Sequence, residues 1–236
     1  MINTVLFDLD GTLAPFDQQD FIHAYFPLLC AAAPEFDPKA LVKAVWAGTE
    51  AMMQNDGTTS NYDRFWQAFE AHFGREVRRY EPVFDAFYGG EFDKVKAVLR
   101  RPSPARAIVD GLKAKGYTVV LATNPYFPLV ALKTRLSWLG LTPEDFALVT
   151  HYQNCRACKP NPLYFEDVLH TLGKQPADCL MVGNNAVEDM AAADVGISVY
   201  LVTDFLENPQ GEEIARFPHG TLDDLAAFCE SLPPVE

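Results

Sequence analysis

The chain has 236 residues of ordinary apolar and charged content, enough for one large or two smaller domains around a real core. A formal net charge of −13 disfavours a nucleic-acid backbone or an anionic membrane as the main partner, and makes any anionic substrate depend on local cations. The longest uncharged apolar stretch, around Tyr25 to Pro34, is far too short to span a bilayer. Five scattered cysteines, an odd number, read as reduced thiols. With no charged leader ahead of the first apolar run, the expectation is a cytoplasmic protein.

In chain order, "NTVLF" (3–7) is a short apolar run that suits a strand covered on both faces. It leads straight into Asp8 and Asp10, which strand alternation points to one side. Carboxylates that close repel each other unless a cation or a shared proton relieves them. Taken alone, the same residues also read as a strand ending in a solvated Asp-Gly turn.

From Ala14 to Arg101 no convincing strand is present, and the pattern is of several helices in succession. There, Tyr62, Phe65, Trp66, Phe69 and Phe73 recur at helical spacing and read as a face packed in a core. Arg75, Arg78 and Arg79 in "REVRR" read as a solvated helix face, or as a holder for a second anionic group of a substrate. "RRPSPA" (100–105) has the prolines of a linker.

Beyond it, "YTVVLA" (117–122), "FALVT" (146–150), "CLMVG" (179–183) and "VYLV" (199–202) read as further buried strands. Leu129, Leu132, Leu136 and Leu139 mark a helix between two of them, as do Phe165, Val168, Leu169 and Leu172. Strands alternating with helices predict an α/β fold, a parallel sheet with helices on both faces. Residues 1–13 and 102–236 form the sheet domain in this reading, and 14–101 an inserted all-helical domain.

Ligands of an open parallel sheet gather beyond the carboxyl ends of its strands. Four segments with chemistry leave the predicted strands there: "DLDGT" (8–12), "LATN" (121–124), "KPNP" (159–162) and "VGNNAVEDM" (182–190). In these four motifs the chain resembles the haloacid dehalogenase superfamily, mostly Mg²⁺-dependent phosphatases with a Rossmann-like core. The resemblance implies that the insert is the family's class I helical cap. It implies Asp8 as nucleophile and metal ligand, and Asp10 as acid and base with its backbone carbonyl on the metal. Thr123, Asn124 and Lys159 are then the groups that hold the phosphoryl moiety, and Asn184 and Asp189 complete the Mg²⁺ site. Glu188 is a weaker candidate beside Asp189.

The chemistry agrees with these roles. A carboxylate that attacks phosphorus divides one hard displacement into two easier ones. An anionic attacker and an anionic phosphoryl group need a cation between them, and Mg²⁺ takes hard oxygen ligands. An acid at Asp10 favours phosphate-ester hydrolysis over dehalogenation, because an ester oxygen needs a proton as it leaves.

Asn184 departs from the family, which carries an aspartate there. Its amide oxygen still coordinates but brings no charge, which implies a weaker metal site or a silent, binding-only member. Asn184 and Asn185 also read as a turn and N-cap, and Thr123 as the N-cap of the helix after it. Cys155 and Cys158 with His151 upstream offer a zinc or redox reading beside that of incidental loop thiols. The expected function is Mg²⁺-dependent hydrolysis of a small phosphorylated metabolite through an aspartyl phosphate. The alternatives are a sugar phosphomutase, or a silent member that binds a phosphometabolite or a protein. Neither nucleic acid nor membrane is an expected partner.

Overall fold

A computed structural model describes residues 1–235. The first apolar run forms β1 (Thr4–Phe7), all four residues buried. Beside it lie β2 (Thr118–Leu121) on one edge and β4 (Cys179–Gly183) on the other, with β3 (Leu148–Val149), β5 (Ser198–Val202) and β6 (His219–Gly220) outside them. The order is β3-β2-β1-β4-β5-β6 and every pairing is parallel. Phe7 lies opposite Leu121 and Val182, so Asp8, Ala122 and Gly183 leave the sheet level with one another. The ladder continues one step further, with Asp8 N–H donating to Val182 O at 2.8 Å and Ala122 N–H to Phe7 O at 2.7 Å.

Period-two alternation divides the core between the two faces of the sheet. Val5, Phe7, Val119 and Leu121 pack into one apolar cluster, and Leu6, Val120 and Met181 into the other. Between β1 and β2 come α1 (Gln18–Ala32), α2 (Pro38–Met53), α3 (Asn61–Phe73), α4 (Glu81–Tyr88) and α5 (Ala105–Ala114). The crossover helices α6 (Leu129–Ser137) and α7 (Pro162–Leu172) carry the two predicted leucine and phenylalanine stripes, and α8 (Leu222–Ser231) packs against α5. No described helix is long and apolar enough to cross a membrane.

Three local differences from the sequence-based expectation have simple causes. The third strand keeps only Leu148 and Val149, because it pairs with β2 alone. The two-residue β6 has no apolar run to announce it. After Gly183 the chain forms a 3₁₀ segment (Met190–Val195) in place of a regular helix. Asn185 Oδ1 closes the turn ahead of that segment, accepting from Val187 N–H at 3.0 Å and Glu188 N–H at 2.9 Å.

The helical insertion is fastened at three places. At its root the outgoing and returning segments are tied to each other, Arg100 N–H donating to Pro15 O at 2.9 Å and Ser103 Oγ to Leu13 O at 2.5 Å. Near the end of α4, the Thr134 hydroxyl donates to Tyr88 O at 2.7 Å, and Trp138 Nε1 to Asp93 at 2.9 Å. The third place is the start of α3, capped by Ser60. There, Asn61 N–H donates to Cys155 O and Tyr62 N–H to Tyr152 O, both at 2.8 Å. The wholly buried Asn61 amide accepts from Asn55 Nδ2 at 2.8 Å and donates to Ala157 O at 3.2 Å.

An alanine at position 61 leaves a buried carbonyl and a buried amide short of partners, a cost of about 1–3 kcal/mol. Asn61→Ala is therefore expected to lower the urea midpoint with the m-value unchanged. A midpoint equal to that of the parent would show that this junction contributes nothing to stability.

Candidate active site

Where β1, β2 and β4 end together, a buried lysine draws the acids after β1 and β4 onto one cation. Lys159 is 2% exposed, and its Nζ donates to Asp8 Oδ1 at 2.9 Å and to Asp189 Oδ1 at 2.5 Å. Burial opposes charge on Lys159, yet Asp189 and Asp8 together hold its ammonium well above the ordinary lysine range. Its backbone is fixed by Asn124, whose Oδ1 accepts from Lys159 N–H at 2.8 Å. The Nδ2 of the same amide donates to Glu188 at 2.7 Å. Asn124 thus orients the lysine as well as lining the cavity above it.

Two glycines let these groups approach. Gly11 has φ +68°, and a Cβ there would stand 2.3 Å from Asn184 Nδ2. The Asn184 amide is held on both sides, Oδ1 accepting from the Thr12 hydroxyl at 3.1 Å and Nδ2 donating to Phe205 O at 2.6 Å. A Cβ on Gly183 would lie 2.1 Å from the Asp189 carboxylate, which rests over the end of β4. Asp189 Oδ2 also accepts from Asn185 N–H at 2.9 Å.

Asp10 is paired with a residue that sequence reasoning missed. Arg135, on α6, is 1% exposed and forms an ion pair with Asp10 Oδ1. Its guanidinium lies 5.0 Å from the Phe21 ring centroid and 5.1 Å from that of Phe127, between two aromatic faces. Burial pushes Arg135 down to about 9, against the pull of Asp8, so it stays cationic at neutral pH. A signal was available, since Arg135 follows Leu132 by three residues and precedes Leu139 by four, on the apolar stripe itself.

Glu207, after β5, has no such signal. It accepts from Asn185 Nδ2 at 3.0 Å and brings a further carboxylate to the cavity.

Asp8, Asp10, Glu188, Asp189 and Glu207 all line one cavity of about 330 Å³. Lys159 and Arg135 stand behind them and do not line it. Burial pushes Glu188 up to about 7 and Asp189 up to about 6, in both cases against Lys159, and raises Glu207 as well. This surplus of negative charge is what a divalent cation relieves. The donor set fits one: two carboxylates, an amide oxygen and a backbone carbonyl are hard oxygen ligands. Among the described residues no three His, Cys, Asp or Glu side chains converge into a ready-made metal cage. A ligand set there would have to draw on neutral oxygens such as the Asn184 amide and the Asp10 carbonyl.

Thr123 is 4% exposed and its side chain lines the cavity, while its carbonyl accepts from the Thr150 hydroxyl at 2.7 Å. It does not cap α6, which begins only at Leu129. Arg75, Arg78 and Arg79 lie away from the cavity, on a 3₁₀ segment (Arg75–Tyr80). Arg78 is committed to Glu70 at 2.5 Å, and Arg79 lies over the Tyr80 ring.

The thiols beside the loop before Lys159 have local partners. Cys158 Sγ donates to Met52 O at 3.4 Å, and Cys155 Sγ to Asn154 Oδ1 at 3.3 Å. His151 Nδ1 lies 2.7 Å from Gln153 Oε1. Burial pushes both thiols up, Cys155 to about 12, away from the thiolate that metal binding or redox chemistry requires. The aromatic stripe of α3 is partly core and partly wall: Trp66 and Phe69 are buried, and both line the cavity with Phe65.

A parallel sheet with this cluster of acids and a lysine at its carboxyl edge, and a helical insertion after the first strand, defines an α/β protein with a polar site at the strand ends. The particular family is settled by the sequence, for the profile of the haloacid dehalogenase-like hydrolases matches residues 2–196, and the chain belongs to that family. Its members are typically Mg²⁺-dependent. Over 245 residues it is 27% identical to the glyceraldehyde 3-phosphate phosphatase of Methanothermobacter thermautotrophicus, covering 98% of this chain and 100% of that one. It is 25% identical over 234 residues to the bifunctional riboflavin kinase/FMN phosphatase of Arabidopsis thaliana, and spans 56% of that longer protein. Among solved structures, the L-2-haloacid dehalogenase of Xanthobacter autotrophicus superposes with a TM-score of 0.58 at 20% identity, over 98% of this chain and 100% of that one. That likeness is one of fold. The chain is a hydrolase of this family.

Because Asp189 occupies the space that a side chain on residue 183 would fill, Gly183→Ala is expected to displace its carboxylate. Overpacking of this kind costs about 1–3 kcal/mol. Denaturant unfolding is expected to show that loss, together with reduced hydrolysis of p-nitrophenyl phosphate. An unchanged midpoint would mean that the carboxylate does not rest against Gly183.

Proposed function

We propose that the protein hydrolyses a small phosphomonoester through an aspartyl phosphate formed on Asp8. The observation that carries this reading is the pair of buried cations behind the cavity floor. Lys159 faces Asp8 and Asp189, and Arg135 faces Asp10, so attacking and proton-transferring carboxylates stand side by side. Residues 14–101 serve as the cap over this floor.

Asp8 attacks phosphorus while Lys159 offsets the charge brought together there. The Thr123 hydroxyl donates to a phosphoryl oxygen from a fixed position, where preorganised donors count most. Asn124 keeps Lys159 and Glu188 in place. Asp10 gives a proton to the leaving oxygen and then takes one from the water that opens the aspartyl phosphate. Arg135 orients the Asp10 carboxylate as its ion-pair partner.

Asp8, the Asp10 carbonyl, Asn184 and Asp189 would hold Mg²⁺. When bound it supplies positive charge between the carboxylate and the phosphoryl oxygens. A sugar phosphomutase would need cations to retain a second phosphate, and the described cavity lining contains no Lys, Arg or His. That weighs toward hydrolysis.

Asp8→Asn is expected to abolish turnover with the unfolding transition retained, and more than trace activity in that variant would reject Asp8 as nucleophile. Asp10→Asn keeps the backbone carbonyl and loses the transferable proton, worth ~10²–10⁴-fold. The loss is expected to be large for an alkyl phosphate and smaller for p-nitrophenyl phosphate. Equal losses on the two esters would remove Asp10 from acid–base duty.

Metal affinity tracks the charge its ligands supply. Asn184→Asp is expected to lower the Mg²⁺ concentration for half-maximal rate and to tighten Mg²⁺ binding in calorimetry. Asp189→Asn is expected to weaken both sharply. Full activity of the parent in EDTA, or an Asp189→Asn titration that superposes on the parent's, would place the metal elsewhere.

A further inference from the structure

The cavity above Asp8 has a wall chemistry of its own. Tyr25, Trp46, Phe65, Phe69, Tyr88 and Phe127 all present to it. Trp46 and Met53 are two of the three large apolar side chains left exposed, and both belong to this lining. Apolar surface that a soluble protein leaves open beside its site is surface kept for a ligand.

Every charged residue among the described lining is a carboxylate. Besides the five at the floor, α4 contributes Glu81, which accepts from the Tyr62 hydroxyl at 3.0 Å, and Asp85. Arg78, over Tyr62 and Trp66, is paired with Glu70 and is not part of the lining. Lys159 and Arg135 are committed to Asp8, Asp189 and Asp10, and neither lines the cavity, Arg135 being screened from it by the rings of Phe21 and Phe127 that it lies against.

Aromatic faces carry partial negative charge and favour offset or edge-on rings, while carboxylates repel a second anion. A volume of about 330 Å³ holds one or two rings, at the small end of ligand sites. We infer that the leaving alcohol of the substrate carries a flat aromatic group and no second anionic group. The inference rests on the phosphomonoesterase reading and narrows it. Phosphorylated carboxylic acids and bisphosphates fall outside the class.

The test compares esters of primary alcohols, so that leaving-group basicity stays similar. 2-Phenylethyl phosphate is expected to exceed glycerol 3-phosphate in kcat/KM by at least about tenfold, the scale set by burial of an aromatic ring. Its 4-carboxy analogue is expected to fall at least about tenfold below the parent ester. Trp46→Ala is expected to narrow the first ratio, and Asp85→Asn with Glu81→Gln the second. Calorimetry with two non-hydrolysable probes, 2-phenylethylphosphonate and 3-phosphonopropionate, tests the same preference without turnover, the aromatic probe being expected to bind more tightly. Esters cleaved without preference would overturn the substrate class and leave the hydrolase reading standing. Tighter binding of the aromatic phosphonate with no ester cleaved would do the reverse. Equal or preferred binding of the carboxylated probe would reject the class outright.

Discussion

A lysine ammonium taken out of water costs several kcal/mol unless carboxylates meet it at close range. In this chain two of them do, and they come from opposite ends of the sequence. Asp8 follows the first strand and Asp189 the fourth, while Lys159 arrives on a loop between them. Much of the local structure serves that meeting. The register brings the strand ends level, Gly183 gives up its side-chain space to Asp189, and Asn124 clasps the backbone of Lys159. The parallel order matters for the same reason, since the central position of β1 sets Asp8 between the loops of both neighbouring strands.

Arg135 adds a second cation with a different kind of support. Its charge is met by Asp10 on one side and by the faces of Phe21 and Phe127 on the others. Guanidinium tolerates such flat, weakly solvated surroundings better than ammonium does. Both cations lie behind the acids they hold. The surface that a ligand meets is therefore acidic below and aromatic above. An overall charge of −13 then means that a phosphate ester gains from the electrostatics of the site only over the last few ångströms of its approach.

The sheet was legible because its strands are buried on both faces and so read as plain apolar runs. Four of the five predicted strands matched closely, and the third shortened. Asp8, Thr123, Lys159 and Asp189 were expected at one edge because each follows a predicted parallel strand, where ligands gather beyond the carboxyl ends. The features that escaped depend on long-range packing. Arg135 hid among leucines, and only its place on the apolar face betrayed it. Glu207 and the two-residue β6 sit in segments with no periodicity. The arginines of "REVRR" read as a solvated face or as a holder for an anion, and packing shows Arg78 spent on Glu70, Tyr62 and Trp66. The stripe on α3 read as core, because periodicity says that a face is covered and is silent on whether protein or ligand covers it.

The junction at the start of α3 bears on how such a protein can be altered. Asn61 and Tyr62 belong to the insertion, yet their backbone partners, Cys155 and Tyr152, stand in the segment that carries the chain to Lys159. The insertion and that segment make one shared surface. A transplant of the helices from a relative, with the segment 151–158 left native, would pit two unmatched halves against each other. The register error would surface first at the lysine, far from any graft boundary. Any exchange of the helices has therefore to move both pieces together, although nearly a hundred residues separate them along the chain.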